Sequence, residues 1–266
     1  TYKAERLAGR RIVQAGVDAA VNGDTVWVSN GVYATGERIV PDFGTHISNR
    51  VWIAKAIVVR SVNGYGVTTI QGAQDPAAVR CVYMASNAVL SGFTLSGGET
   101  AHQSSWSVTN RSGGGVCGEN KGSKVYNCRL INNRSDYGGG AYNCTLINCL
   151  VISNTADVEA GGAISCDLYN CTLSGNHADR YGGARSCTVN SCIVYGNTAA
   201  YTENGYECIA CTLNQSCTSP AVGGGNITND PQFVEAAAGD YHLGANSPCI
   251  QAGNNVIGGV SGGQHQ

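Results

Sequence analysis

Three aspartates recur at matching places in this chain. Asp136, Asp157 and Asp179 each lie three residues past an asparagine, namely Asn133, Asn154 and Asn176. The next asparagine of that series, Asn197, is followed at the same place by Ala200. Their neighbours in sequence are cationic or aromatic: Arg134, His177 and Arg180, with Tyr137, Tyr181 and Tyr201. Carboxylates brought into one column must be exposed, neutralised or bound to a cation. At about 4.8 Å spacing, like charges repel by roughly 1 kcal/mol in water and by about 3–4 kcal/mol at an effective dielectric near 20. Two such carboxylates can both reach one Ca2+, whose oxygen ligands sit at about 2.4 Å. Asp157 and Asp179 are therefore the candidate metal pair. With Arg134, Tyr137, His177, Tyr181 and Tyr201 beside them, the column would make a surface for a sugar chain. Asp and Asn also favour tight turns for purely local reasons, and a row of solvated turns is the competing explanation.

What would bring these residues into line is a repeat. Asn127-Cys128, Asn148-Cys149, Asn170-Cys171 and Ser191-Cys192 each open a segment that closes on Asn133, Asn154, Asn176 or Asn197, and their cysteines step by 21, 22 and 21 residues. A second cysteine series, Cys144, Cys166, Cys187 and Cys208, steps by 22, 21 and 21. Glycine clusters at Gly138–Gly140, Gly161-Gly162 and Gly182-Gly183 fall between the two series. A unit of this length with short strand patterns cannot bury its own apolar face, whereas stacked units can. The expected fold is all-β: a single-stranded right-handed parallel β-helix of roughly nine or ten coils, about 4.8 Å per coil. The ladder asparagines should hydrogen-bond from coil to coil at a turn. Phe93 is expected at the ladder position that cysteine takes later. Ile12–Ala20 reads as a short helix plugging the N-terminal end. The organisation expected is an N-terminal cap over 1–22, the β-helix over 23–222 and a closing segment over 223–266 of the same domain.

Composition narrows the function. The net charge is −2 with no Lys/Arg cluster, which argues against nucleic-acid binding. No stretch approaches the roughly 20 apolar residues that cross a bilayer. Thirteen cysteines suggest a secreted or cell-surface protein, and their odd number leaves at least one unpaired within the chain. Stacked thiols are the main expectation for the ladders, with one or two bridges near Cys208, Cys211 and Cys217; paired zinc knuckles do not fit the once- or twice-per-coil spacing. The chain begins at Thr1, as a mature or trimmed product would. His102 and Trp106, in the longer insertion 97–112, could overhang the rod as a binding loop. Serine-nucleophile and phosphate-cradling motifs are absent.

Several runs resemble known families. Gly23-Asp24-Thr25-Val26-Trp27-Val28 with Gly31-Val32-Tyr33 resembles the opening of pectate-lyase-like β-helices. Gly161–Ile164 and the Asn-x-Ala triplets at Asn154, Asn176 and Asn197 resemble polymorphic outer-membrane protein repeats. Asp230-Pro231-Gln232-Phe233, Asp240-Tyr241-His242-Leu243 and Ser247-Pro248-Cys249-Ile250 are similar to bacterial surface β-helix proteins of the choice-of-anchor Q type. Resemblance to pectate-lyase-like enzymes implies Ca2+-bridged uronate binding with an arginine as base, a role for Arg180. Resemblance to β-helical glycosidases implies an acid/base pair among Asp136, Asp157 and Asp179. The functional expectation is a monomeric secreted or surface protein that binds polysaccharide along the acidic column, with cleavage as a lyase or glycoside hydrolase left open. The alternative is a non-catalytic, adhesin-like rod, or a solenoid that binds protein.

Overall fold

A computed structural model describes residues 2–4, 13–40, 47–100, 107–201, 207–219, 225–253, 256–257 and 260–261. Three long sheets run the length of the chain, and each takes one short strand from every coil. The first has nine strands, from Tyr2–Ala4 and Thr25–Val28 through Lys124–Tyr126 and Thr145–Ile147 to Thr212–Asn214, all parallel. The second has eight, from Gly31–Tyr33 to Cys217–Thr218, also parallel. The third has eight and is parallel except for the antiparallel pair Arg38–Val40 and Ile47–Ile53. This is a right-handed parallel β-helix, with nine strands in its longest ladder, at the lower edge of the expected coil number.

In-register stacking makes the core out of columns. Leu90, Val125, Leu146, Leu168 and Val189 follow one another in the first sheet. Leu95, Leu130, Val151, Leu173 and Val194 do so in the second. All ten are fully buried, and burying each such side chain is worth roughly 2 kcal/mol or more. The third sheet carries Ala141, Ala163 and Ala184 inside. The helix Val13–Ala19 covers the N-terminal end, burying Val13 and Val17. Gln14 fastens it by exchanging two hydrogen bonds with the Trp52 backbone, and Lys55 Nζ donates to the Val17, Asp18 and Ala20 carbonyls at its C-terminal end.

Each coil turns inward at three corners, and a residue with left-handed backbone precedes each inward side chain. At one corner these are Asn132, Ser153, Gly175 and Gly196, with φ of 55°, 53°, 63° and 72°. The ladder asparagines come directly after them. The left-handed conformation thus falls on the residue before each ladder asparagine, which frees the asparagine side chain to point into the core. Asn133, Asn154 and Asn176 each donate from Nδ2 to the Oδ1 of the next, at 2.9, 3.0 and 2.8 Å. Each also donates to a backbone carbonyl of the preceding coil: Leu95, Leu130 and Val151.

The cysteine columns occupy the other two corners. Arg129, Leu150, Thr172 and Ile193 are in register, so Cys128, Cys149, Cys171 and Cys192 lie over one another, with Phe93 before them and Ser216 after. The second column needs a correction. The Cys187 amide donates to Cys211 Sγ, so Cys211 rather than Cys208 continues Cys144, Cys166 and Cys187. Cys208 pairs with Ala184 and extends the alanine column instead. The cysteines are free thiols; Cys144 and Cys166 are 3.9 Å apart at sulfur. Burial pushes the Cys81 and Cys128 thiols up to about 12, which keeps them protonated and inert.

Candidate functional site

A fourth sheet of four strands, Arg134–Tyr137, Thr155–Glu159, His177–Arg180 and Thr198–Ala199, begins directly after the asparagine ladder. Its inward residues are Ser135, Ala156 and Ala178, all buried. Strand alternation then sets two outward rows. One is Arg134, Thr155, His177 and Thr198, which are cross-strand partners. The other holds Asp136, Asp157 and Asp179, two residues further along each strand. Beyond them Tyr137, Glu159 and Arg180 are partners across a bulge in each pairing. The sheet therefore brings the expected aspartates onto one face, beside Arg134, His177 and Arg180.

The three aspartates do not share one environment. Asp136 is completely buried, and Arg111 Nε donates to its Oδ2 at 2.5 Å. It is covered by residues 107–113, which fold back over the start of the sheet; Ser112 bridges to Tyr137. Arg80 pins that segment from inside. Its fully buried guanidinium donates to the carbonyls of Thr109, Ser112 and Gly113 and to Asn49 Oδ1. Burial lowers the Arg80 pKa, yet four oxygen acceptors keep the group satisfied. Arg80 was not singled out from sequence; an arginine in an otherwise apolar strand, Val79–Met84, was the available signal.

Asp157 is partly exposed and engaged from the neighbouring coil by Arg134, whose Nε and a terminal nitrogen donate to the two carboxylate oxygens at 3.1 Å each. Arg134 also lies 3.7 Å from the buried carboxylate of Glu99. Glu159 takes Arg180 at 3.6 Å and a close hydrogen bond from Arg185. Asp179 is half-buried, and its backbone carbonyl accepts from the Tyr201 amide. His177 Nδ1 lies 2.9 Å from Thr198 Oγ1 on the exposed row. The aromatic rings fall at the edge of the face. Tyr137 sits under the Arg111 guanidinium at 5.2 Å, Tyr181 near Arg185 at 5.8 Å, and Tyr201 is 60% exposed.

The face is thus a stack of acid–arginine contacts, with His177, Asp179, Arg180 and Tyr201 at its open side. Among the described residues no group of three or more His, Cys, Asp and Glu side chains is arranged to hold a metal ion. A Ca2+ at Asp157 and Asp179 would have to draw its other oxygens from backbone and water, and would compete with Arg134 for Asp157. His102 and Trp106 lie outside the described residues. Among the described residues no helix is long and apolar enough to cross a membrane.

No protein-family model matches the sequence. No curated protein matches it. Among solved structures the chain is similar to pectin methylesterase from carrot, at 14% identity and a TM-score of 0.39, covering 69% of this chain and 58% of that one. It is similar to the rice weevil pectin methyl esterase at 10% identity and a TM-score of 0.43, covering 86% of this chain and 83% of that one. It is also similar to a pectin methylesterase in complex with a hexasaccharide, at 11% identity and a TM-score of 0.42, covering 79% and 78%. Likeness at these identities concerns the fold alone.

Proposed function

We propose that this β-helix is a secreted or cell-surface protein that binds polysaccharide along the outer face of its fourth sheet. The observation that carries the reading is the pair of outward rows on that sheet. Successive coils present Arg134, Thr155, His177 and Thr198 in one row and the partly exposed Asp157 and Asp179 in the other, with Tyr137, Tyr181 and Tyr201 at the edge. A polymer of polar units can lie along such a face and meet a polar group at each coil. Arg180 lies 3.6 Å from Glu159, and a guanidinium suits holding a uronate carboxylate better than accepting a proton. Asp136 is sealed under Arg111, so cleavage would fall to Asp157 and Asp179 together with Arg180. Ca2+ would enter at the same two aspartates. The tail's resemblance to bacterial surface proteins supports the extracellular placement.

The test is a panel of uronate-containing and neutral glycans, each with Ca2+ or with EDTA, read for binding, for unsaturated product in the ultraviolet and for new reducing ends. Binding that is lost in an Asp179→Ala/Tyr201→Ala double variant supports the proposal, and turnover would extend it to an enzyme. Failure to bind any glycan leaves the second reading, a non-catalytic rod. That reading has an observation of its own: Asp136, Asp157 and Glu159 already have arginine partners within the chain.

A further inference from the structure

Cys217 differs from the cysteines of the two core columns in the direction of its side chain. It is in register with Leu150, Thr172 and Ile193, the row of the second sheet that alternates with the buried Val151, Leu173 and Val194. Its thiol therefore points away from the coil interior, while Ser216 occupies the inward column after Cys192. Cys217 is nevertheless buried. What buries it is the chain's own return segment. Asn226 receives the Ser216 amide on its side chain and Ile227 bridges to Cys217. Cys217 Sγ donates to the Asn229 carbonyl at 3.2 Å. Beyond this point the chain runs back along the rod: a Cβ on Gly239 would lie 3.9 Å from Arg129, and one on Gly253 would lie 3.2 Å from Ser191. Ser247 ties the end of this segment to its beginning by donating to the Pro231 carbonyl at 2.5 Å. Cys249 follows two residues later, half-buried, with its amide donating to Ser247 Oγ at 3.2 Å and its thiol beside that of Cys217.

We infer that Cys217 and Cys249 are a redox pair whose disulfide fastens the closing segment to the last coil. The chemistry is exchange with an external disulfide. The Cys249 thiolate attacks one sulfur of a small-molecule disulfide and expels the other as a thiolate. Cys217, deprotonated in turn, attacks the Cys249 sulfur and expels the second small thiol. Two protein thiols are oxidised, one external disulfide is reduced to two thiols, and the protein's two protons end on those products or in solvent. Cys249 is the natural first nucleophile: it is the more accessible of the two, and the neighbouring Cys217 side chain holds its pKa down. The buried column cysteines Cys128, Cys149, Cys171 and Cys192, and Cys144, Cys166 and Cys187, lack this route because their sulfurs are shut off from any oxidant.

The experiment uses the full chain incubated with oxidised glutathione, followed by peptide mapping without reduction. The expected result is a crosslinked peptide joining Cys217 to Cys249, absent in Cys249→Ser and in Cys217→Ser and retained in Cys208→Ser. Limited proteolysis should then cut the segment 225–253 about tenfold more slowly in oxidised than in reduced protein. A map that joins either cysteine to a different partner, or that leaves both as thiols when glutathione is in excess, overturns the inference.

Discussion

Glu207 stands where the asparagine ladder would place its next member. Asn197 Nδ2 donates to its Oε2 at 2.5 Å, and the Asn197 amide donates to both carboxylate oxygens at 3.1 and 3.2 Å. A carboxyl group therefore closes a column of carboxamides. Burial raises its pKa from 4.5 to about 7, outweighing the hydrogen bonds from Asn197 that favour the charged form.

That shift sets the sign of a pH effect. The folded-state pKa lies above the unfolded one, so the native state holds the proton more tightly. The linked stability is fully present below about pH 4.5, is lost as the pH rises through about 7, and is gone above it. Its size is at most about 3 kcal/mol. Glu207→Gln keeps an acceptor for Asn197 and removes the titration. Melting temperatures from pH 4 to 8 should show wild type losing stability relative to this variant across that window; a flat difference would contradict the assignment.

The ladder interior should be far less forgiving. Asn154 Oδ1 accepts from both the amide and Nδ2 of Asn133, while its own Nδ2 donates to the Leu130 carbonyl and Asn176 Oδ1. Asn154→Ala strands donors and acceptors that no water can reach. With about 1–3 kcal/mol for each group left unpaired, a total loss of about 3–5 kcal/mol is expected. Urea unfolding measures it, and a loss under about 1 kcal/mol would mean the column is not held by these bonds.

The glycines of the third sheet act by close approach. A Cβ at Gly162 would sit 2.4 Å from the Gly183 carbonyl oxygen, a contact that only backbone movement in two coils can relieve. Gly162→Ala should cost about 2–4 kcal/mol. Gly196→Asn, in the left-handed column that Asn132 already occupies, should stay within about 0.5 kcal/mol of wild type. Equal effects in paired thermal melts would remove this reasoning.

Identical residues made the fold legible. Asn133 to Asn197 and Cys128 to Cys192 mark their own columns, and Phe93 could be placed by the strand pattern around it, although it lies 35 residues before Cys128. Counting failed where the coil length changes. Cys187 and Cys211 are stacked 24 residues apart, so a 21-residue step lands on Cys208 and mistakes a strand residue for a corner residue. Glu207 was missed for another reason: its backbone stacks on Gly183, in the glycine column, and only its side chain reaches the asparagine ladder. The aspartates were legible as a row but not in their surroundings, because the burial of Asp136 depends on where residues 107–113 return and on Arg80 holding them there.

The two best-defined acid–arginine contacts of the fourth sheet should therefore differ in energetic weight. Asp136 is completely buried, so Arg111→Ala takes the guanidinium away from a carboxylate that water cannot solvate, and a loss of about 3 kcal/mol or more is expected. Asp157 has 30% of its side chain exposed and Arg134 46%, so water and salt replace much of that contact; the Arg134–Asp157 coupling, isolated from the buried Glu99 by a double-mutant cycle, is expected to be about 0.2–1 kcal/mol. Raising the ionic strength should shrink the Arg134 coupling and leave the Arg111 effect nearly unchanged. Arg111→Ala and the cycle, compared by urea unfolding at low and high salt, check this directly. If the two energies are the same and respond alike to salt, Asp136 is solvated, and it returns to the glycan-facing row with Asp157 and Asp179.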